Sequence, residues 1–112
     1  MTDPYKTGLG HLRAGRYFEA HEELELSWRA APQEERDFHQ GLVHVAVAWY
    51  QAGRGRGIGA RRQLEKAARR LAPYAPAYGG VDVEDVLAQV EAARATAAAG
   101  SLELEPLRVR ER

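Results

Sequence analysis

"FHQGLVHVAVAWY", residues 38–50, decides the fold. Wound at about 100° per residue, its Phe38, Leu42, Val43, Val45, Ala46, Val47, Ala48, Trp49 and Tyr50 surround almost the whole circumference of a helix. A helix that is apolar nearly all round is the central member of a bundle, because every side must be covered by a neighbour. The pattern predicts this third helix over residues 33–53. Its polar stripe runs through Gln40, His44 and Gln51.

On the N-terminal side stands "GRYFEAHEELELSW", residues 15–28. A second helix runs from Tyr17 to Ala30 and stops before Pro32, since the residue preceding a proline is pushed out of the helical region. Tyr17, Ala20, His21, Leu24 and Trp28 follow the spacing of one buried face. His21 falls in the middle of that arc with Glu25 beside it, Glu22 lies at its border, and Glu19 and Glu23 face water. A carboxylate taken out of water costs several kcal/mol unless paired. Glu25 is therefore expected to meet His21 and the Gln40/His44 stripe, in a cluster of His21, Glu22, Glu25, Trp28, Gln40 and His44 between helices two and three. Removing His21 or Glu25 from such a buried network would cost about 3–5 kcal/mol.

Asp3-Pro4 is an N-cap followed by proline at the first helical position, and Gly15 ends the helix so begun, with Leu9 and Leu12 inward. Beyond the central helix, "GRGRGIG", residues 53–59, is a flexible connection to a fourth helix over 59–71. Asp82, with Asp85 three residues on, caps a fifth helix that Gly100 closes. The tail "SLELEPLRVRER" alternates like a strand, but Pro106 and the absence of a second strand favour an extended arm. That arm is expected to cover its own bundle or to reach a neighbouring subunit, so a homo-oligomer would form through it or through exposed helix faces. The fold class is all-α, a single domain over residues 1–112 of about five helices around a buried third one.

Sixteen basic and sixteen acidic residues cancel, which removes the global positive field of a nonspecific nucleic-acid or membrane-surface binder. Cysteine is absent, no secretory leader pattern is present and no apolar run nears the ~20 residues of a bilayer span, so a cytoplasmic protein without membrane contact is expected. The charge is nevertheless uneven. Residues 17–37 carry seven acids and two arginines, for −5, whereas residues 54–70 carry six Arg, one Lys and one Glu, for +6. Arg54, Arg56, Arg61 and Arg62, with the free amides opening the fourth helix, are candidate anion ligands. Without interleaved aromatics or a groove-reading motif, nucleic acid is disfavoured.

"HEELE" begins like the zincin H-E-x-x-H but places Glu25 where the second histidine belongs. Di-iron carboxylate bundles need Glu-x-x-His on two helices, and Phe18, Arg36 and Gly41 precede His21, His39 and His44 at that spacing. A mixed divalent-metal site of His21, Glu25 and His44 remains as an alternative, with Glu22 as general base of a metal-dependent hydrolase. Gly55-x-Gly57-x-x-Ala60 copies a dinucleotide fingerprint after a helix rather than a strand, so no nucleotide cofactor is expected. His39 reads as a satisfied core histidine, and His11 has no evident partner. A binding or interaction role is expected ahead of catalysis.

In the order "YFEAHEELELSW", "FHQGLVHVAVAWY", "GIGARRQLEKAARRL", the chain resembles the bacterial and archaeal domain-of-unknown-function family numbered 309, over about residues 5–72. The resemblance rests on Ala20-His21-Glu22, Glu25, Trp28, Gln40-Gly41-Leu42, and Gly59-Ala60 with Leu64. It implies a small all-helical bundle and candidate residues without chemistry, the family's activity being unassigned. His44 stands where the family commonly has an amide side chain, and Arg56 where it commonly has asparagine.

Overall fold

The computed structural model describes residues 3–112. α1 (Pro4–Arg13) opens with Asp3 Oδ1 accepting the Tyr5 amide at 3.0 Å, and Gly15 leaves it at φ 76°. α2 (Tyr17–Ala30) ends where Ala31 turns extended before Pro32. The third helix is entered through one 3-10 turn, Gln33–Glu35, and is α-helical as α3 (Arg36–Gly53). α4 (Gly57–Leu71) begins two residues earlier than the glycine run suggests, because within that run Gly55 alone takes a positive φ.

Between α4 and the fifth helix lies a feature not anticipated from sequence. Ala77–Tyr78 (β1) and Val81–Asp82 (β2) pair antiparallel across Gly79 and Gly80, both at positive φ, as a two-residue hairpin with two left-handed positions demands. α5 (Val83–Ala98) follows, with Asp82 Oδ1 accepting the Asp85 amide at 3.0 Å as expected of its cap.

α3 is central. α1 packs on α2, α2 on α3, α3 on α4 and α4 on α5. Phe38, Leu42, Val45, Ala46 and Ala48 of α3 are buried in one core with Leu12, Leu24, Leu64, Leu71, Val86 and Val90. Two glycines let helices approach closely: a Cβ at Gly8 would lie 2.7 Å from Leu24 Cγ, and one at Gly41 2.7 Å from Leu71 Cγ.

The C-terminal segment folds back over its own bundle. Leu107 and Val109 are buried, Trp49 Nε1 donates to the Glu105 carbonyl at 2.9 Å, and Arg13 Nε donates to the Val109 carbonyl at 2.8 Å. Gln89 holds Arg108 at both its amide (2.8 Å) and its carbonyl (2.7 Å). The arm also finds a strand partner, since Glu111 bridges Val81 and the Asp82 amide donates to the Arg110 carbonyl at 2.9 Å. The radius of gyration, 12.8 Å, matches the ~13 Å of a compact chain this long, so the arm adds no extension. Among the described residues no helix is long and apolar enough to cross a membrane.

Candidate functional site

α2 places Phe18 and His21 on one edge, and α3 places Val47, Tyr50 and Gln51 opposite; together they line an open cleft of about 210 Å³. The Phe18 ring lies 5.2 Å from the His21 ring and 5.4 Å from the Tyr50 ring, both tilted, as aromatic quadrupoles prefer. His21 Nδ1 stands 2.9 Å from the Phe18 carbonyl. A carbonyl only accepts, so Nδ1 carries the proton, and Nε2 turns toward Glu25.

His21 Nε2 and Glu25 Oε2 are 3.9 Å apart, beyond hydrogen-bond length, and the side chains are 27% and 42% exposed. This corrects the expectation that both point inward. The buried residues of α2 are Ala20, Leu24 and Ser27, which turns the sealed arc away from His21 and leaves the His21–Glu25 edge at the surface.

His44 faces the other neighbour. Its Nδ1 lies 2.7 Å from Gln63 Oε1 on α4, and its Nε2 is buried without a partner. Burial lowers its pKa below the usual 6.5, opposed by the Gln63 bond and reinforced by Arg70, Lys66 and Arg69. The expected trio of His21, Glu25 and His44 is therefore not gathered, and among the described residues no group of three or more His, Asp or Glu is placed to hold a metal. The wider cluster is divided too. Glu22 is exposed, Gln40 is half-buried, and Trp28 lies under the Arg36 guanidinium at 4.9 Å.

Ser27 was not singled out in the sequence, although it continues the Ala20, Leu24 face. Its Oγ donates to the Leu24 carbonyl at 2.8 Å and sits 3.0 Å from His39 Nδ1, which therefore donates to it. With its proton committed to a helix carbonyl and both residues buried, Ser27 docks α2 on α3 and is no activated nucleophile. Burial lowers the His39 pKa, against Glu35 and Asp3. His11 has a partner after all: Arg16 Nε donates to its Nδ1 at 2.9 Å.

The candidate anion ligands separate as well. Arg54 lies 5.7 Å over the Tyr50 ring, beside the aromatic cleft, and Arg56 is exposed just before α4. Arg61 and Arg62 line a different, open groove of about 480 Å³ between α4 and α5, with Glu65, Glu91 and Arg94. Among the described residues the acidic and basic segments are joined by one ion pair, Arg70 Nη1 to Asp37 Oδ1 at 2.6 Å.

The molecule is a small all-α protein carrying a solvent-open aromatic cleft between two of its helices. It belongs to the family described as Domain of unknown function (DUF309), whose model matches residues 5–63, more than half of the chain. The match ends inside α4, so the cleft lies within it while α5 and the arm lie beyond. No curated protein matches the chain.

Proposed function

We propose that this chain is a binding protein whose site is the α2–α3 cleft, and that the cleft seats an apolar side chain of a protein partner. The observation that carries this reading is Phe18, an aromatic left 45% exposed over a cleft walled by Val47 and Tyr50, in a chain that seals most of its large apolar residues. An exposed aromatic continuous with an apolar-walled cleft is the kind of patch that marks a docking groove. The volume, about 210 Å³, is below the ~300–1,000 Å³ of small-molecule and cofactor sites but suits a single side chain. The α2 side carries Glu19, Glu22 and Glu25 on the same helix as Phe18 and His21, while Arg54 lies over Tyr50 on the α3 side, so the partner is apolar at its anchor and basic where it meets α2.

The test is a nuclear magnetic resonance titration of the full chain with a synthetic amphipathic peptide of Leu and Lys, and with a Leu and Glu peptide as control. Shifts at Phe18, His21 and Tyr50 with the basic peptide alone, lost in Phe18→Ser, are the expected outcome. An unresponsive cleft refutes the reading.

A second reading has one observation of its own: three guanidinium groups, Arg61, Arg62 and Arg94, share the α4–α5 groove, and among the described residues Arg61 and Arg62 have no ion-pair partner. Anion binding there would show as pyrophosphate affinity that falls steeply with salt and is lost in Arg61→Gln, Arg62→Gln.

A further inference from the structure

Among the described residues Ile58 is the most exposed large apolar one, at 73%. It stands in the first turn of α4, on the Gly57-Ile58-Gly59 stretch, with Arg54, Arg56, Arg61 and Arg62 around it in sequence. It is therefore an apolar knob in the basic segment of residues 54–70, net +6, whereas the α2 wall of the cleft belongs to the acidic segment of residues 17–37, net −5. Knob and cleft are also neighbours on one molecule. Gln51, a wall of the cleft, has its side-chain carbonyl carbon 3.4 Å from where a Cβ at Gly59 would stand, and Arg54 lies over Tyr50, another wall.

We propose that the partner of the cleft is a second copy of this chain, with Ile58 of each copy seated between Phe18 and Tyr50 of the other. This rests on the cleft being a docking site, as proposed above. With the first turn of α4 adjacent to the cleft, a two-fold axis would satisfy both contacts at once and close the assembly as a dimer. Charge favours the same pairing. The basic segment around Ile58 meets the acidic segment around Phe18 across the interface twice, and those exposed charges are screened by salt. The glycines beside Ile58 contribute no side chains that would hold two copies apart.

The experiment is sedimentation equilibrium of the full chain from micromolar to millimolar concentration, with Ile58→Glu and Phe18→Ser alongside. Ile58 is mostly in water, so Ile58→Glu is expected to keep the wild-type melting temperature of the monomer. The expected result is a monomer–dimer equilibrium that high salt weakens and that does not grow past the dimer. Each variant raises the dissociation constant about thirtyfold or more, the threshold of an interface hot spot. An equal mixture of the two variants regains a heterodimer weaker than the wild-type dimer, because one of its two seats is intact. A wild-type chain that stays monomeric at millimolar concentration overturns the inference, as does association indifferent to Ile58→Glu or growth past the dimer. A monomer whose cleft still answers the Leu and Lys peptide refutes the second copy and leaves the docking reading standing. A monomer with an unresponsive cleft refutes both.

Discussion

His44 on α3 donates its Nδ1–H to Gln63 Oε1 on α4 at 2.7 Å, while the Nε2 of the same imidazole is sealed without a partner. The bond joins the two helices, and the orphaned nitrogen makes protonation costly. Burial holds the His44 pKa below its ordinary 6.5, and it does the same to His39. Above that value both folded and unfolded chains carry neutral imidazoles, and the stability is full. As pH falls through 6.5 the unfolded chain takes up protons that the folded chain resists, so stability declines until the depressed folded-state value is passed. The decline is at most about 1.4 kcal/mol per pH unit for each histidine. Urea unfolding at about pH 7.5 and about pH 5.5 should show it, with a shallower slope in His44→Gln. A flat profile between those values would contradict the assignment.

At the His21–Glu25 edge, His21→Gln and Glu25→Gln should each change stability by less than about 1 kcal/mol, as for a surface pair. A buried pair would lose about 3–5 kcal/mol. Thermal melts of the two variants decide, and a loss in the larger range would mean that the edge is closed in solution.

Three glycines on helices should respond in opposite directions. Gly8→Ala and Gly41→Ala drive a methyl into Leu24 and Leu71, at 2.7 Å in each case, and should destabilise by about 1–3 kcal/mol. Gly10→Ala on α1 meets nothing within 4 Å and should stabilise by about 0.4–1 kcal/mol through the unfolded chain's lost freedom. Denaturant midpoints of the three variants test the close approach of α1 to α2 and of α3 to α4.

The arm contributes to the core. Leu107→Ala should cost about 2–5 kcal/mol, since Leu107 is only 5% exposed. The loosened arm would also release the bond from Trp49 Nε1 to the Glu105 carbonyl. A red shift of Trp49 emission below the global unfolding transition, with the far-ultraviolet helix signal retained, is the expected signature. A variant that unfolds with no such early shift would tie the arm to the bundle as one cooperative unit.

Much of the bundle was legible because its determinants are local. The start and end of α2 follow from Tyr17 onward periodicity and from Pro32, and the caps at Asp3 and Asp82 need only the amides two or three residues away. The hairpin had a legible signal as well, since Gly79-Gly80 supplies the two positive-φ positions a tight turn requires, though strands of two residues are too short for alternation to mark.

The candidate site was legible only as an inventory. Its aromatic and acidic residues, Phe18, His21, Glu25 and Tyr50, stand in one short stretch each, but which of them meet depends on how α2 is rotated about its axis. Ser27 settles that rotation by bonding His39, a contact between residues 12 apart in the chain. Likewise a helix apolar nearly all round has no intrinsic front, so the neighbour that His44 faces was decided by the docking of α4 and by Gln63, 19 residues away.

By itself, then, the sequence determined an all-α bundle with a buried third helix and placed its helix ends within a few residues, because periodicity and capping act over one or two turns. Tertiary structure alone decided that the expected metal ligands part company, that the arm closes over its own chain, and that an aromatic cleft and the Ile58 knob lie side by side. Those outcomes depend on helix rotation and long-range docking, which single-helix periodicity does not encode.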